Sequence, residues 1–196
     1  MRAREDSGPW PWVIGALVLA AALAAGAYYV FREAYLPKPQ KPTIIYEPVT
    51  SVTGARVSVK LYFPAKDGER LGLETREVSE QADRAGQARA LVGELIRGPV
   101  SEELTPSFPP ETRLKGMFID ASGTAYLNFS REVQTEYPGG AWTETLTIYS
   151  LANTLAANFP DINRVQVLVE GAVVDTLAGH IDISRPFAPR PALNEE

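Results

Sequence analysis

The chain of 196 residues contains no cysteine. This absence excludes disulfide bonds, thiol catalysis and the lipid-modified cysteine of a lipoprotein, but it does not decide the compartment. Only one histidine, His180, is present, so a Ser-His-Asp triad or a histidine-based metal site would have to use it. A basic stripe is also missing, and the net charge of −5 argues against nucleic acid as a partner.

The common catalytic motifs are missing as well: the sequence has no Gly-x-Ser-x-Gly elbow, no His-Glu-x-x-His helix and no Walker-type glycine loop. His180 follows a glycine, which favours a residue on the surface or at the end of a strand. The carboxylates that a glycoside hydrolase would need in a pair are Asp120, Glu170, Asp175 and Asp182. Asp120 is better explained as a turn residue and Glu170 as the wet end of a strand. We therefore predict no enzyme, no cofactor and no metal.

A long uncharged run lies near the N-terminus. The 19 residues from Val13 to Phe31 carry no charge, and a helix of about 20 apolar residues spans a bilayer. Aromatic residues flank both ends of the run, as at membrane interfaces. The alternative is a cleaved signal peptide, favoured by the small residues at 24–27. We predict an uncleaved single-pass transmembrane helix that contacts the lipid bilayer.

The rest of the chain divides at proline-rich stretches. We predict a short N-terminal tail at 1–12, the anchor at 13–31, a proline-rich linker at 32–54, one domain at 55–186 and a flexible tail at 187–196. The charges on the two sides of the anchor nearly balance, so they do not set its orientation. Because long domains translocate largely regardless of charge, we predict a domain on the extracytoplasmic side of the cell membrane.

Strand and helix periodicities alternate within the domain. Apolar residues alternate with polar ones over Val57–Phe63, and a second, shorter strand is predicted at Leu71–Ser79. Helical spacing follows in Ala88–Ile96 and ends at a Gly-Pro pair. Leu114–Ile119 and Ala125–Phe129 flank a turn sequence, which predicts a β-hairpin.

The most strongly patterned stretch is a helix that leads into a strand. Its apolar residues are spaced to line one helix face: Ile148, Leu151, Ala152, Leu155 and Phe159. Its polar residues fall on the opposite face, which we predict to be wet: Thr147, Ser150, Asn153, Thr154 and Asn158. Alternating valines then predict a strand over Val165–Val169. Two helices on one mixed sheet predict an α+β fold, a two-layer sandwich preceded by the transmembrane helix.

These motifs together resemble the GerMN domain, the module named for GerM-type sporulation and spore germination proteins. The resemblance covers about Val57 to Pro186 and rests on an opening strand at Val57–Phe63, a helix ending in Leu95–Pro99, the hairpin entry at Pro109, Thr112 and Leu114, the strand Ala125–Ser130, the helical pair Thr154 and Leu155, and the strand Val165–Gly171. It implies a membrane-attached, extracytoplasmic α+β module that acts through protein contacts. A single copy and the lack of cysteine depart from spore-former members that carry two copies or a lipid anchor.

Three functions are weighed for such a module. The first is a non-enzymatic interaction or scaffolding domain of the cell envelope, which binds an envelope protein or a second copy of itself. This function would be related to sporulation or germination. The second is a cell-wall polysaccharide binder, and the third is an envelope hydrolase. Tyr62 and Tyr126 both lie opposite the apolar set of their strands, so an open sheet face would display them. We take these two tyrosines as the predicted interaction surface.

Overall fold

The computed structural model describes residues 10–35 and 52–195, which fall in two units, Met1–Ile45 and Tyr46–Glu196. In the first unit, helix α1 covers Trp10–Tyr35. A bilayer crossing requires about 20 consecutive apolar residues. Within the residues that the structure describes, no helix meets the combined requirement of length and apolarity. The structure therefore does not support the transmembrane helix predicted at Val13–Phe31. The predicted linker at 32–54 lies mostly outside the described residues.

The second unit opens with a hairpin that forms its own sheet. Strands β1 (Val52–Pro64) and β2 (Leu71–Gln81) pair antiparallel, in continuous register from Arg56 opposite Ser79 to Pro64 opposite Leu71. Helix α2 (Arg84–Arg97) follows, and its first turn is capped by the Asp83 carboxylate, which accepts a hydrogen bond from the Gly86 N–H.

A mixed sheet of four strands forms the other β element of the domain. Its order is β3-β4-β5-β6, from strands Leu114–Ile119, Thr124–Phe129, Arg164–Val169 and Ala172–Val173. The β4–β5 pair is parallel and the other pairs are antiparallel. Between β4 and β5 lie a short helix α3 (Glu132–Thr135) and the long helix α4 (Ala141–Asn158). The α+β class and the main elements are confirmed, but the single mixed sheet was wrong, because the first hairpin does not pair with the later strands.

One apolar core joins both sheets and both long helices. It contains Leu61 and Phe63 of β1, Leu91 and Leu95 of α2, and the inner faces of β4 and β5. The predicted apolar face of α4 enters the same core through Ile148, Leu151, Ala152 and Leu155, with Phe159 packed against it. Helix α4 therefore packs in the same core as β5, the strand that follows it.

The polar face of α4 is not wet, which corrects the prediction from its pattern. Thr147, Ser150, Asn153 and Thr154 are at most 3% exposed. These side chains form hydrogen bonds with groups in other parts of the domain, so they are buried rather than exposed to water.

The C-terminal residues fold back onto the domain. The Asn153 side chain accepts a hydrogen bond from the Arg190 N–H and donates to the Arg190 carbonyl and to Asn194. The Glu195 N–H donates to the Leu71 carbonyl, and Leu193 packs in a second small cluster with Leu71. The flexibility predicted for 187–196 remains a prediction, since these contacts describe position and not motion.

Candidate functional site

The two tyrosines of the predicted interaction surface lie in different sheets. Tyr62 is on β1 and packs against the second cluster, beside Leu71, Leu146 and Leu193. Tyr126 is on β4 of the four-stranded sheet and is half-buried. They have different neighbours, so they do not build one groove, which is the arrangement that a tyrosine-lined sugar site would need.

Tyr126 nevertheless belongs to an exposed aromatic surface. Phe118 stands opposite it on β3, and the two rings stack with centroids 5.5 Å apart and planes at 25°. Phe118 is 51% exposed, unusual for a phenylalanine on an otherwise packed sheet. On the same outer face, Gln166 of β5 donates to the Ile183 carbonyl, so the chain near Ile183 covers that side. On this face Phe118 is exposed and Tyr126 half-buried, while their neighbours Thr124 and Asn128 are buried. We call Phe118, Tyr126 and Asp120 the aromatic patch.

Asp120 gives the aromatic patch a charged rim. One carboxylate oxygen accepts hydrogen bonds from the Ser122 N–H and hydroxyl and from the Thr124 N–H, while the other accepts from the Tyr126 hydroxyl at 3.3 Å. The bonds from Ser122 and Thr124 lower the pKa of Asp120 below its ordinary value. Desolvation, and then the charge of Asp120, raise the pKa of Tyr126. At neutral pH the patch therefore presents two aromatic rings beside one negative charge.

Three of the four carboxylates considered for catalysis have structural partners for their side chains. Asp120 is the turn residue that its sequence predicted. Glu170 accepts from the Arg131 N–H and pairs with Lys115 at 2.5 Å, a contact that lowers the pKa of Glu170. Asp182 accepts from the N–H and hydroxyl of Ser184, and these bonds lower its pKa. Within the described residues, no group of three or more histidine and acidic side chains is placed to hold a metal ion.

His180 contacts a buried carboxylate that the sequence reading missed. Glu144 of α4 is fully buried and accepts hydrogen bonds from the N–H groups of Leu177, Ala178 and His180. The His180 Nδ1 lies 3.3 Å from the same carboxylate. Glu144 thus fixes the loop after β6, which is a positioning role. The sequence signal was weak, because a glutamate in the first turn of a helix is normally read as a favourable charge near the helix N-terminus.

A second feature missed by the sequence reading is a row of polar side chains on α4 along the edge of β1 that does not pair with β2. The Ser150 hydroxyl donates to the Tyr62 carbonyl, and the Thr154 hydroxyl accepts from the Tyr62 N–H. One turn further on, Asn158 accepts from the Lys60 N–H and donates to the Lys60 carbonyl. We call Ser150, Thr154 and Asn158 the polar ladder. Four residues of helix rise about 6 Å and two residues of strand about 6.7 Å, so the spacings match.

The absence of charge on the polar face of α4 was the available signal for this role. A helix face that meets water usually carries lysine, glutamate or arginine, whereas Thr147, Ser150, Asn153, Thr154 and Asn158 are all short and uncharged. Such side chains can donate and accept hydrogen bonds at close range.

Comparison with known proteins agrees with this architecture. The fold defines a small α+β domain with two sheets, two long helices in its core and a hairpin whose edge is partly covered by α4. The family model "Germane: Sporulation and spore germination" matches residues 60–175, and the chain belongs to that family. A search of curated proteins found no significant match.

Solved structures that are similar to the chain include the following three. A candidate lipoprotein from Clostridium perfringens is 29% identical, with 71% of this chain and 92% of that chain covered and a TM-score of 0.50. The tandem GerMN domains of the sporulation protein GerM from Bacillus subtilis are 16% identical, with 76% and 51% covered and a TM-score of 0.53. The first GerMN domain of that protein is 22% identical, with 67% and 97% covered and a TM-score of 0.52. The two GerM structures support the fold alone.

Proposed function

We propose that this chain is a non-enzymatic protein-interaction module of the cell envelope. Its GerMN-type domain would act on the extracytoplasmic side, in the processes that the family description names, sporulation and spore germination. The similarity to a candidate lipoprotein supports an extracytoplasmic, membrane-associated setting. The observation that carries the proposal is the aromatic patch, because an exposed phenylalanine stacked on a second aromatic ring at the surface is typical of protein-binding surfaces.

The patch also indicates the kind of partner surface that it would bind. Phe118 and Tyr126 offer a flat apolar area, and the negative charge of Asp120 beside them, whose Oδ2 accepts from the Tyr126 hydroxyl, favours a basic side chain. We therefore propose a partner protein with an apolar anchor residue next to a lysine or arginine. The polysaccharide alternative required Tyr62 and Tyr126 in one groove, and their separate sheets give it no such support.

The test compares two substitutions of equally exposed residues. Phe118→Ser removes the centre of the aromatic patch, and Leu73→Ser is the matched control, because Leu73 is 49% exposed and lies on β2 of the other sheet. Tagged full-length chains are expressed in their own cell, partners are identified by crosslinking and mass spectrometry, and each purified partner is titrated against both variants.

We expect Phe118→Ser to weaken partner binding by tenfold or more, about 1.4 kcal/mol or greater, while Leu73→Ser leaves it unchanged. Equal affinities for wild type, Phe118→Ser and Leu73→Ser would show that the patch is not the binding surface. Binding to purified cell-wall glycan but to no protein would overturn the protein-interaction proposal in favour of the polysaccharide one.

A further inference from the structure

The edge of β1 is covered by the polar ladder over only part of its length. The outward-facing N–H and C=O groups of Tyr62 and Lys60 are bonded to α4, and the Pro64 carbonyl accepts from Thr105. Alternate residues of a strand point their backbone groups to the same edge. The register of β1 continues unbroken to Arg56, so the N–H and C=O groups of Ser58 and Arg56 also face outward.

No partner covers this next part of the edge within the described portion of the chain. Arg56 and Ser58 are exposed, and the hydrogen bonds found there leave their outward backbone groups unpaired. An unpaired strand edge is a template for another strand. Here the open stretch begins where Asn158 ends the polar ladder, so the edge is guarded up to Lys60 and free beyond it.

A groove of about 480 Å³ lies directly beside the free edge. Phe159 and Val57, both partly exposed, contribute apolar surface to it, and Val57 and Ser58 of β1 form one wall. Gln87 also lines the groove, and its amide nitrogen is buried without a hydrogen-bond partner among the described residues. A strand added to β1 would direct every second side chain to the face on which Val57 lies, toward this apolar surface.

We propose that the free edge of β1 pairs with the same edge of a second copy of this chain, antiparallel and about a twofold axis at Val57. This proposal rests on the proposed function and specifies self-association as one of the module's contacts. In this register Arg56 stands opposite Ser58 of the second copy, and the outward backbone groups of both residues form four hydrogen bonds across the axis. Val57 of the second copy then faces the groove.

Charge selects this register over its neighbour. With Val57 on the axis, Lys60 approaches the irregular segment around Gly54, where the register of β1 shifts and Gly54 has no side chain to clash with the nearby Asn158. With Ser58 on the axis, Arg56 would stand opposite Lys60, and like charges directly opposite each other destabilise a sheet.

The favoured register also brings opposite charges near each other. Ser58 is small, and its neighbour on β2 is Glu77. In the unpaired chain the Arg56 guanidinium donates to the Glu77 carbonyl of its own copy. In the pair, Arg56 lies across Ser58 of the other copy and would turn its positive charge toward the Glu77 side chain of that copy.

A single engineered cysteine tests the pairing, because the chain has none of its own. Residues that face each other in a non-hydrogen-bonded antiparallel pair have Cα atoms about 4.5 Å apart, within the range that a disulfide accepts. Val57→Cys should therefore crosslink to itself under mild oxidation. Ser58→Cys tests the other register, and Leu73→Cys, on β2, reports random encounters.

The crosslinking is done on the full chain in detergent solution, because α1 exposes leucine and valine side chains. We expect Val57→Cys to form dimers at least about tenfold faster than Leu73→Cys or Ser58→Cys, since pairing holds the two thiols at millimolar effective concentration. Equal rates for all three, or no dimer from Val57→Cys with a native circular dichroism spectrum, would overturn the proposal.

A second substitution separates edge pairing from other association. Ser58→Pro in the Val57→Cys background removes the outward N–H, and proline is tolerated on edge strands because its missing donor faces away from the sheet. We expect the fast crosslinking to be lost while the circular dichroism spectrum is kept; fast crosslinking that persists would contradict strand pairing. Phe118→Ser in the same background should leave crosslinking intact. If the crosslinking experiments contradict edge pairing, the proposed function is unaffected, because it depends on the aromatic patch.

Discussion

Single buried polar residues decide much of how this domain is held together. Tyr137 precedes α4, and its hydroxyl is 2.7 Å from the Thr147 hydroxyl on that helix. Burial, with a further contribution from the negative charge of Glu144, raises the pKa of Tyr137 to about 12, from an ordinary value of 10.0. The folded state thus keeps the Tyr137 proton at pH values where the unfolded chain releases it.

This shift predicts a loss of stability in alkali. The folded pKa lies above the unfolded one, so the contribution of Tyr137 is fully present below pH 10.0 and is lost as the pH rises toward about 12. Urea unfolding at a series of pH values measures the effect. Tyr137→Phe should lower the free energy of unfolding at neutral pH by about 0.5–1.5 kcal/mol through the lost hydrogen bond. As the pH rises, the free energy of unfolding of the variant should decrease less steeply than that of wild type. Parallel curves for the two proteins would contradict the assignment.

At the scale of elements, the contact between α4 and β1 is the least expected feature of the domain. A helix normally packs on the face of a sheet, where its apolar stripe meets apolar side chains. Here α4 places its apolar residues in the core and its polar ladder on a strand edge. The helix thus protects β1 from edge-to-edge aggregation, as a further strand would, but only as far as Lys60.

An isosteric substitution tests the polar ladder. Thr154→Val keeps the shape of the side chain and removes the oxygen that accepts from the Tyr62 N–H at 2.9 Å. Because Thr154 is fully buried, the N–H is left without a partner, and the free energy of unfolding should fall by about 1–3 kcal/mol. Thr143→Val, at an exposed position of the same helix, is the control and should change it by less than about 0.5 kcal/mol. Urea denaturation compares the two; similar effects would mean that the ladder does not stabilise the edge.

The elements that could be predicted are those whose signal is local. The hairpin at Leu114–Phe129 has alternating apolar residues around an Asp-Ala-Ser-Gly turn, and the structure has those strands within one residue of the expectation. The end of α4 before Pro160 also has a local signal, because proline restricts the conformation of the residue before it.

What could not be predicted depends on partners distant in sequence. The polar ladder joins Asn158 to Lys60 across 98 residues, and no local pattern distinguishes such a face from one that meets water. The same holds for the separation of Tyr62 from Tyr126, because strand alternation gives the face of a residue but not the sheet to which its strand belongs. Glu144 was missed for a related reason, since its partners lie more than 30 residues away.

For the molecule as a whole, the C-terminal segment closes the domain on one side. Leu193 lies in a short 3-10 helix (Pro191–Leu193) and is 8% exposed, packed with Leu71 of β2 and Leu146 of α4. Asn153 holds the same segment through Arg190 and Asn194. The segment therefore connects the first hairpin to α4, two elements that are otherwise joined by the polar ladder and the core.

This arrangement predicts that Leu193, three positions before the last residue of the sequence, stabilises the entire domain. Leu193→Ala removes one third of a small apolar cluster, and we expect the free energy of unfolding to fall by about 2 kcal/mol, near the lower end for buried leucines because the cluster lies close to the surface. Val100→Ala is the control, since Val100 is 80% exposed. Hydrogen exchange adds a local measurement, because the Glu195 N–H should be protected by the Leu71 carbonyl in wild type and lose protection in Leu193→Ala. A Leu193→Ala protein as stable as Val100→Ala, with Glu195 unprotected in both, would instead confirm the flexible tail that the sequence predicts, and β2 would then have no support from the C-terminus.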